Sequence, residues 1–140
     1  MLVRCSFEEL AALTAGAERT VQTATLGGAG VVAPPQELVD VEALLPRLSG
    51  DLDVRTLAEQ RSLRRAVDLI LETLRARMDE TILEQYVGAE DAVVAYFDYA
   101  HVLTIRERIR RVGKEMEALI ELITGAPASD DSARQVTFPE

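Results

Sequence analysis

The chain has few of the residues that support extracellular or membrane structure. Its 140 residues include a single cysteine, Cys5, which cannot form an intramolecular disulfide. The opening stretch, MLVRCSFEEL, lacks the basic start and the long apolar run of a secretory signal. No apolar stretch reaches the ~20 residues that span a bilayer, because Asp98 and His101 interrupt the richest one. We therefore expect a soluble, reduced, cytoplasmic protein that does not enter a membrane.

Basic residues are scarce relative to acidic ones. The 15 lysines and arginines against 24 aspartates and glutamates give a formal net charge of −9 and a pI near 4.7. A chain of this charge repels phosphate backbones, so nucleic acid is not an expected partner. The one basic run, RERIRR at residues 106–111, is interpreted as an exposed helix face with Ile109 turned inward.

Groups that could carry catalysis are also few. His101 is the only histidine, it lies far along the chain from Cys5, and no serine has a general base near it in the sequence. The glycine-rich run GGAG at residues 27–30 lacks the lysine of a phosphate loop and the helix that follows a dinucleotide-binding turn, so we interpret it as a flexible hairpin or linker. We expect no catalytic residue and no cofactor.

Apolar residues make up 48% of the whole chain. Two long helical patterns contain many of them. From about residue 54 to 87 neither glycine nor proline interrupts a stripe that repeats at helical steps. A second pattern runs from about 90 to 124, with Gly88 between the two. Its apolar positions step by three and four, as in a heptad seam: Val102, Ile105, Ile109, Val112, Met116, Leu119 and Ile123. The short connection predicts an antiparallel helical hairpin.

The first 50 residues are less regular. Ser6 and Glu9 have the spacing of a capping box, which predicts a short helix from about Phe7 to Ala15 that Gly16 ends. Short strands are predicted in MLVRC at residues 1–5 and in TVQTATL at residues 20–26, and a further helix from Pro35.

The predicted fold is therefore mainly α, a long hairpin packed with shorter N-terminal helices and one or two short strands. Residues 1–124 form a single helical domain in this prediction, in which 1–50 is the less regular portion and 51–124 the hairpin. Residues 125–140 are predicted to be a flexible polar tail.

The hairpin changes character near its turn. Continuing the two stripes toward Gly88 brings Asp98 opposite Arg77, with Thr81 and Gln85 beyond it. A lone buried charge costs several kcal/mol, so we predict an Arg77 to Asp98 pair that Thr81 and Gln85 support with hydrogen bonds. Such a pair sets the register of the two helices. The alternative is a polar pocket for a ligand.

Asp98 and His101 also have the three-residue spacing with which helical bundles pair a carboxylate and an imidazole on a metal. A di-iron bundle needs two such motifs, and the nearby acids fall largely away from the apolar stripe. They are Asp79, Glu80 and Glu84. We therefore expect no metal.

Aromatic residues cluster at the same end. Tyr86, Tyr96, Phe97 and Tyr99 fall within one short region. Tyr96 and Tyr99 align with Leu103 on one side of the helix. Phe97 aligns with Val93 on another, so residues 92–105 are apolar nearly all the way round. A hairpin covers only one side of such a helix. Either the N-terminal third or a second chain must cover the remainder. Tyrosine-rich clusters are typical of interfaces.

These features favour a small acidic interaction protein: a scaffold, adaptor or chaperone-like module that forms a homo-oligomer, most simply a dimer, and binds a protein partner through its hairpin. A different class is also compatible, a small-molecule or metal-binding domain, conceivably an enzyme, with a pocket around Arg77, Asp98 and His101.

Overall fold

A computed structural model of the protein describes residues 1–26, 35–83 and 89–139. The predicted mainly-α fold is confirmed. The elements in chain order are β1 (Leu2–Val3), α1 (Phe7–Leu26), α2 (Pro35–Leu44), a 3-10 turn (Leu45–Arg47), β2 (Leu52–Asp53), α3 (Leu57–Leu83), α4 (Ala89–Thr124) and α5 (Asp130–Gln135). Within the described ranges, no helix is both long enough and apolar enough to cross a membrane.

Helices α3 and α4 form the predicted hairpin and pack along their lengths. As the residue number in α3 rises, the number of its contact in α4 falls, which fixes the antiparallel orientation. The contacts are Gln60 Nε2 to the Ile109 carbonyl at 2.9 Å, Asp68 to Arg106 at 2.7 Å and Arg77 to Asp98 at 3.2 Å. The core lies between these helices and α1.

The heptad seam predicted for α4 holds for only part of the helix. Val102, Ile105, Ile109 and Met116 are fully buried, but Ile123 is exposed and Ile120 is buried in its place. A straight α-helix drifts by about 20° per heptad relative to a strict seven-residue repeat. Three heptads after Val102 the buried face has therefore moved from Ile123 to Ile120.

Two predictions for the first third of the chain were wrong. Gly16 does not end α1, which continues to Leu26, and the predicted strand at residues 20–26 is the last part of this helix. Gly16 packs so closely on α3 that an added Cβ would lie 2.6 Å from Ile70 Cγ2. The Thr20 hydroxyl donates to Thr73 across the same contact at 2.9 Å. Packing against α3 therefore outweighs the strand preference of the threonine-rich segment.

Other local predictions for this region are confirmed. The Ser6 amide donates to Glu9 at 2.8 Å and the Glu9 amide to Ser6 Oγ at 3.2 Å, which is the predicted capping box. β1 exists as a two-residue strand and pairs antiparallel with β2. The linker predicted at residues 27–30 lies outside the described residues.

The last residues differ from the flexible tail that their polarity predicted. They contain α5, whose Ser129 and Ser132 form a capping box. Phe138 is 5% exposed and its amide donates to the Arg55 carbonyl at 2.6 Å. Burial of one aromatic ring therefore fixes this segment beside the start of α3, a contact that composition alone does not reveal.

Candidate functional site

The closed end of the hairpin holds most of the residues that the sequence singled out. We define it as residues 71–83 of α3 and 89–103 of α4. Gln85 and Tyr86 fall within residues 84–88, which lie outside the described residues. The hydrogen bond predicted for Gln85 and the interface role predicted for Tyr86 therefore stay predictions.

Arg77 and Asp98 lie within pairing distance across the closed end. Arg77 Nη1 donates to Asp98 Oδ2 at 3.2 Å, and the two side chains are 26% and 21% exposed. Thr81 does not support them as predicted, because its hydroxyl donates to the Met78 carbonyl of its own helix at 2.8 Å. The two charges therefore satisfy each other without the expected threonine.

We predict that this pair contributes about 1 kcal/mol of coupling free energy, between the values typical of exposed and of buried pairs. The variants Arg77→Gln, Asp98→Asn and the double variant, compared by urea unfolding, give this energy directly. The matched control is the Arg61 to Asp130 pair, whose separation is similar at 3.3 Å but whose aspartate is 96% exposed. Equal coupling in the two cycles would contradict a structural role for the first pair.

His101 lies one turn from Asp98 but makes no pair with it. The imidazole is half-buried and contacts the Phe97 ring, with centroids 6.4 Å apart and planes at 32°. Among the described residues no group of three or more potential ligands could hold a metal ion. The sequence left open a ligand pocket around Arg77, Asp98 and His101. The contacts of His101 within the described residues do not direct its imidazole into such a pocket.

The aromatic cluster divides into a core part and an exposed part. Tyr99 is half-buried and packs against the hydrophobic core. Tyr96 and Phe97 are 58% and 53% exposed, with their rings edge to face at 5.7 Å between centroids. Leu103 is exposed one to two turns further along. The described part of the N-terminal third therefore leaves Tyr96 and Phe97 exposed, whereas Tyr99 belongs to the core side of the cluster.

Between the two helices at this end lies an open, almost entirely apolar groove of about 420 Å³. We call it the apolar groove. Its lining residues are Met78 and Ile82 from α3 with Ala92, Val93, Tyr96 and Phe97 from α4. Ile82 is 65% exposed, a larger fraction than that of Tyr96 or Phe97. The side chains of Arg77, Asp98 and His101 do not line it.

The groove is open because α1 packs on the other side of the hairpin. Thr73 contacts Thr20 of α1, and Ile82 follows Thr73 by nine residues, which is about half a turn of rotation round an α-helix. Helix α5 lies at the far end of α3, where Asp130 pairs with Arg61. No element within the described ranges therefore lies over the apolar groove.

Charge is distributed unevenly along the hairpin. Residues 78–105 contain six acidic side chains and neither lysine nor arginine. Four of these acids are exposed at the closed end: Asp79, Glu80, Glu90 and Asp91. Glu80 lies 3.6 Å from Arg19 of α1, on the side of the hairpin away from the groove, and Asp98 is paired as described above. The tip of the hairpin beside the groove is therefore acidic. We call its other exposed acids, Asp79, Glu90 and Asp91, the acidic rim, although none of them lines the groove itself.

The basic run at residues 106–111 is largely occupied by ion pairs. Arg106 pairs with Asp68 at 2.7 Å, and Arg108 donates to Glu9 at 2.7 Å. Hydrogen bonds from Arg110 hold the pKa of the Glu107 carboxyl at about 2, well below its usual range. The first two contacts link α4 to α3 and α1, the third lies within α4, and together they leave less free positive charge than the sequence suggests.

Two ionisable groups near the chain start, the half-buried Cys5 and the buried Glu9, do not form a reactive site. Burial, with the nearby charges of Glu9 and Asp51, raises the pKa of the Cys5 thiol to about 11, so it remains protonated and weakly nucleophilic at neutral pH. Burial pushes the Glu9 pKa upward, but hydrogen bonds from Arg108 and Ser6 outweigh it and lower the pKa below its ordinary value. Glu9 therefore stays ionised within its ion pair.

Comparison with protein-family models finds no match, and comparison with curated proteins and with solved structures finds no significant match. Fold and surface together define a helical bundle that carries an exposed apolar groove with an acidic rim. Sequence reasoning found the aromatic wall of this groove but missed Ile82. The signal was present, because Met78 and Ile82 are four residues apart and lie off the core stripe.

Proposed function

We propose that the protein is a small helical interaction module that binds another protein chain through the apolar groove. The observation that carries the proposal is the exposure of Ile82, Tyr96 and Phe97 side by side at one end of the hairpin. Contiguous apolar patches of this kind mark interaction sites on soluble proteins, and exposed tyrosine is enriched among the residues that dominate binding energy.

The lining of the groove favours a protein occupant over a small molecule. Small-molecule sites combine an apolar cavity with a few polar groups that orient the ligand. The groove has a suitable volume, but the tyrosine hydroxyl of Tyr96 is the only polar side-chain group among its described lining residues. A groove between two helices is the surface on which an amphipathic helix lays its apolar face.

Self-association is a second form of the same proposal. Two copies related by a twofold axis would bury Tyr96 and Phe97 against each other, as in an isologous dimer. That contact brings two acidic rims together, so we expect a dimer of this kind to strengthen as salt screens the repulsion. Sedimentation velocity at low and high salt measures this dependence.

The test is a selection of peptides from a random display library on the full chain, followed by binding measurements on two double variants. Tyr96→Ser with Phe97→Ser removes the aromatic wall of the groove. Leu122→Ser with Ile123→Ser is the matched control, because both residues are exposed apolar side chains at the opposite end of the same helix. All four residues are more than half exposed, so both variants are expected to fold.

We expect the groove variant to bind the selected peptides, or the second copy in a dimer, at least about tenfold more weakly than the wild type. The reason is that removing an aromatic residue that dominates an interface costs about 2 kcal/mol or more. We expect the control variant to lose less than about twofold in affinity. Equal binding to both variants would place the site elsewhere. A chain that stays monomeric and enriches no peptide would refute the proposal.

A further inference from the structure

The charge around the apolar groove indicates what kind of chain fits it. The groove is lined by apolar side chains, and the segment that forms its α4 wall and flanks carries only acidic charge. We infer that the occupant is an amphipathic helix with basic residues beside its apolar face. This inference rests on the proposed function and specifies the chemistry of the partner.

Helix stability explains some of the acids at this end of the hairpin, but it does not explain Asp79. Glu90 and Asp91 lie in the first turn of α4, where negative charge interacts favourably with the helix dipole. Asp79 and Glu80 lie near the end of α3, where the dipole disfavours acids, and the last turn of α3 has no basic residue. Glu80 lies 3.6 Å from Arg19 of α1. Asp79 is exposed and makes no ion pair among the described residues, which leaves an external cation as its complementary charge.

The neighbouring surface sets the length of the occupant. Beyond the groove, the same side of the hairpin continues as a shallow hollow of about 310 Å³, lined in part by Leu71, Tyr99 and Leu103. The ion pair of Asp68 with Arg106 lies at its far edge. From Ile82 back to Leu71 is about 16 Å along α3, which corresponds to about three turns of a helix.

The charge of the surface also changes along this direction. Arg75 is exposed and lies in the hollow beside Glu72, whereas no base lies among residues 78–105. The basic residues of the occupant are therefore expected at the end that lies over Ile82 and Phe97, and its other end is expected to be neutral or of mixed charge. A second copy of this acidic chain matches this pattern poorly.

The probes are two synthetic peptides of about 14 residues with leucines at helical spacing. One carries lysines and the other glutamates at the positions that flank the leucines. Fluorescence anisotropy with the full chain gives both affinities at low and at high salt. We expect the basic peptide to bind at least about tenfold more tightly at low salt, with a ratio that shrinks as salt is added.

Two double variants locate the charge. Asp79→Asn with Asp91→Asn removes two of the charges of the rim, and Glu115→Gln with Glu117→Gln makes the same charge change on exposed positions of α4 far from the groove. Loss of two exposed ion pairs is expected to weaken the basic peptide about five- to tenfold in the rim variant, and less than about twofold in the control.

The outcomes separate this inference from the proposed function. If the two peptides bind equally, and both are lost in the Tyr96→Ser, Phe97→Ser variant, the groove binds protein but the partner is not selected by charge, and the inference is overturned. It is also overturned if neither peptide binds, if the basic peptide binds that variant unchanged, or if a dimer of the chain excludes it. The display selection then decides the proposed function independently.

Discussion

Replacing Gly16 by valine is expected to lower the free energy of unfolding by about 3 kcal/mol. The Cβ alone would lie 2.6 Å from Ile70 Cγ2 and 3.1 Å from Leu74 Cδ1, and both of these side chains are fully buried. Valine adds two further methyl groups, so α1 must move away from α3 or the two side chains must leave their rotamers. Urea unfolding monitored by circular dichroism measures the loss.

The matched control is Ala15→Val, one position away on the exposed side of α1. Its cost is limited to the lower helix propensity of valine, about 0.6 kcal/mol. Similar losses in the two variants would mean that the contact of Gly16 with α3 is not as close as described. Helix propensity alone would make the Gly16 variant slightly more stable, because valine is a better helix former than glycine.

Replacing Phe138 by alanine is expected to cost about 3 kcal/mol, the lower end of the range for deleting a buried phenylalanine. The ring is 5% exposed, and the amide of the same residue is bonded to the Arg55 carbonyl next to α3. We expect the loss to appear in global urea unfolding, together with faster proteolytic cleavage within residues 125–139, because the anchor of this segment is removed.

Thr137→Ala is the control, since Thr137 is the exposed neighbour of Phe138. We expect it to change the free energy of unfolding by less than about 0.5 kcal/mol. If the Phe138 variant instead unfolds like the wild type and is cleaved at the same rate, the C-terminal segment does not contribute to the stability of the bundle.

The parts of the fold that could be predicted are those coded by short-range pattern. Uninterrupted helical periodicity predicted α3 and α4, and the spacing of Ser6 and Glu9 predicted the start of α1. The pairing of Arg77 with Asp98 followed from the register of a hairpin with a short turn. Each of these inferences needs only local geometry and the cost of burying a single charge.

The errors lie where a distant contact decides the local structure. A glycine usually weakens a helix, yet at Gly16 the missing Cβ allows α1 to approach α3 closely. Thr20 favours strands, yet its hydroxyl is satisfied by the Gly16 carbonyl and by Thr73. Phe138 lies in a polar stretch of the sequence. Its burial becomes evident only in the folded structure, where its segment packs beside Arg55. No pattern within a few residues contains this information.

The candidate site was only partly predictable for a related reason. Composition identified Tyr96, Phe97 and Tyr99 as one cluster, but exposure separates the first two from the third. Which flank of the hairpin stays open depends on where α1 packs, and this depends on Gly16. The apolar groove is therefore a consequence of the three-dimensional arrangement of the helices.

Residues 78–105 hold six acids and no lysine or arginine, so the closed tip of the hairpin is a local source of negative potential. A cationic chain diffusing nearby is attracted to this tip before any contact forms, and encounters begin there more often than at an uncharged tip. Attraction of this kind raises association rates without changing a single contact in the final complex, and it fades once the ionic strength shortens the reach of the field.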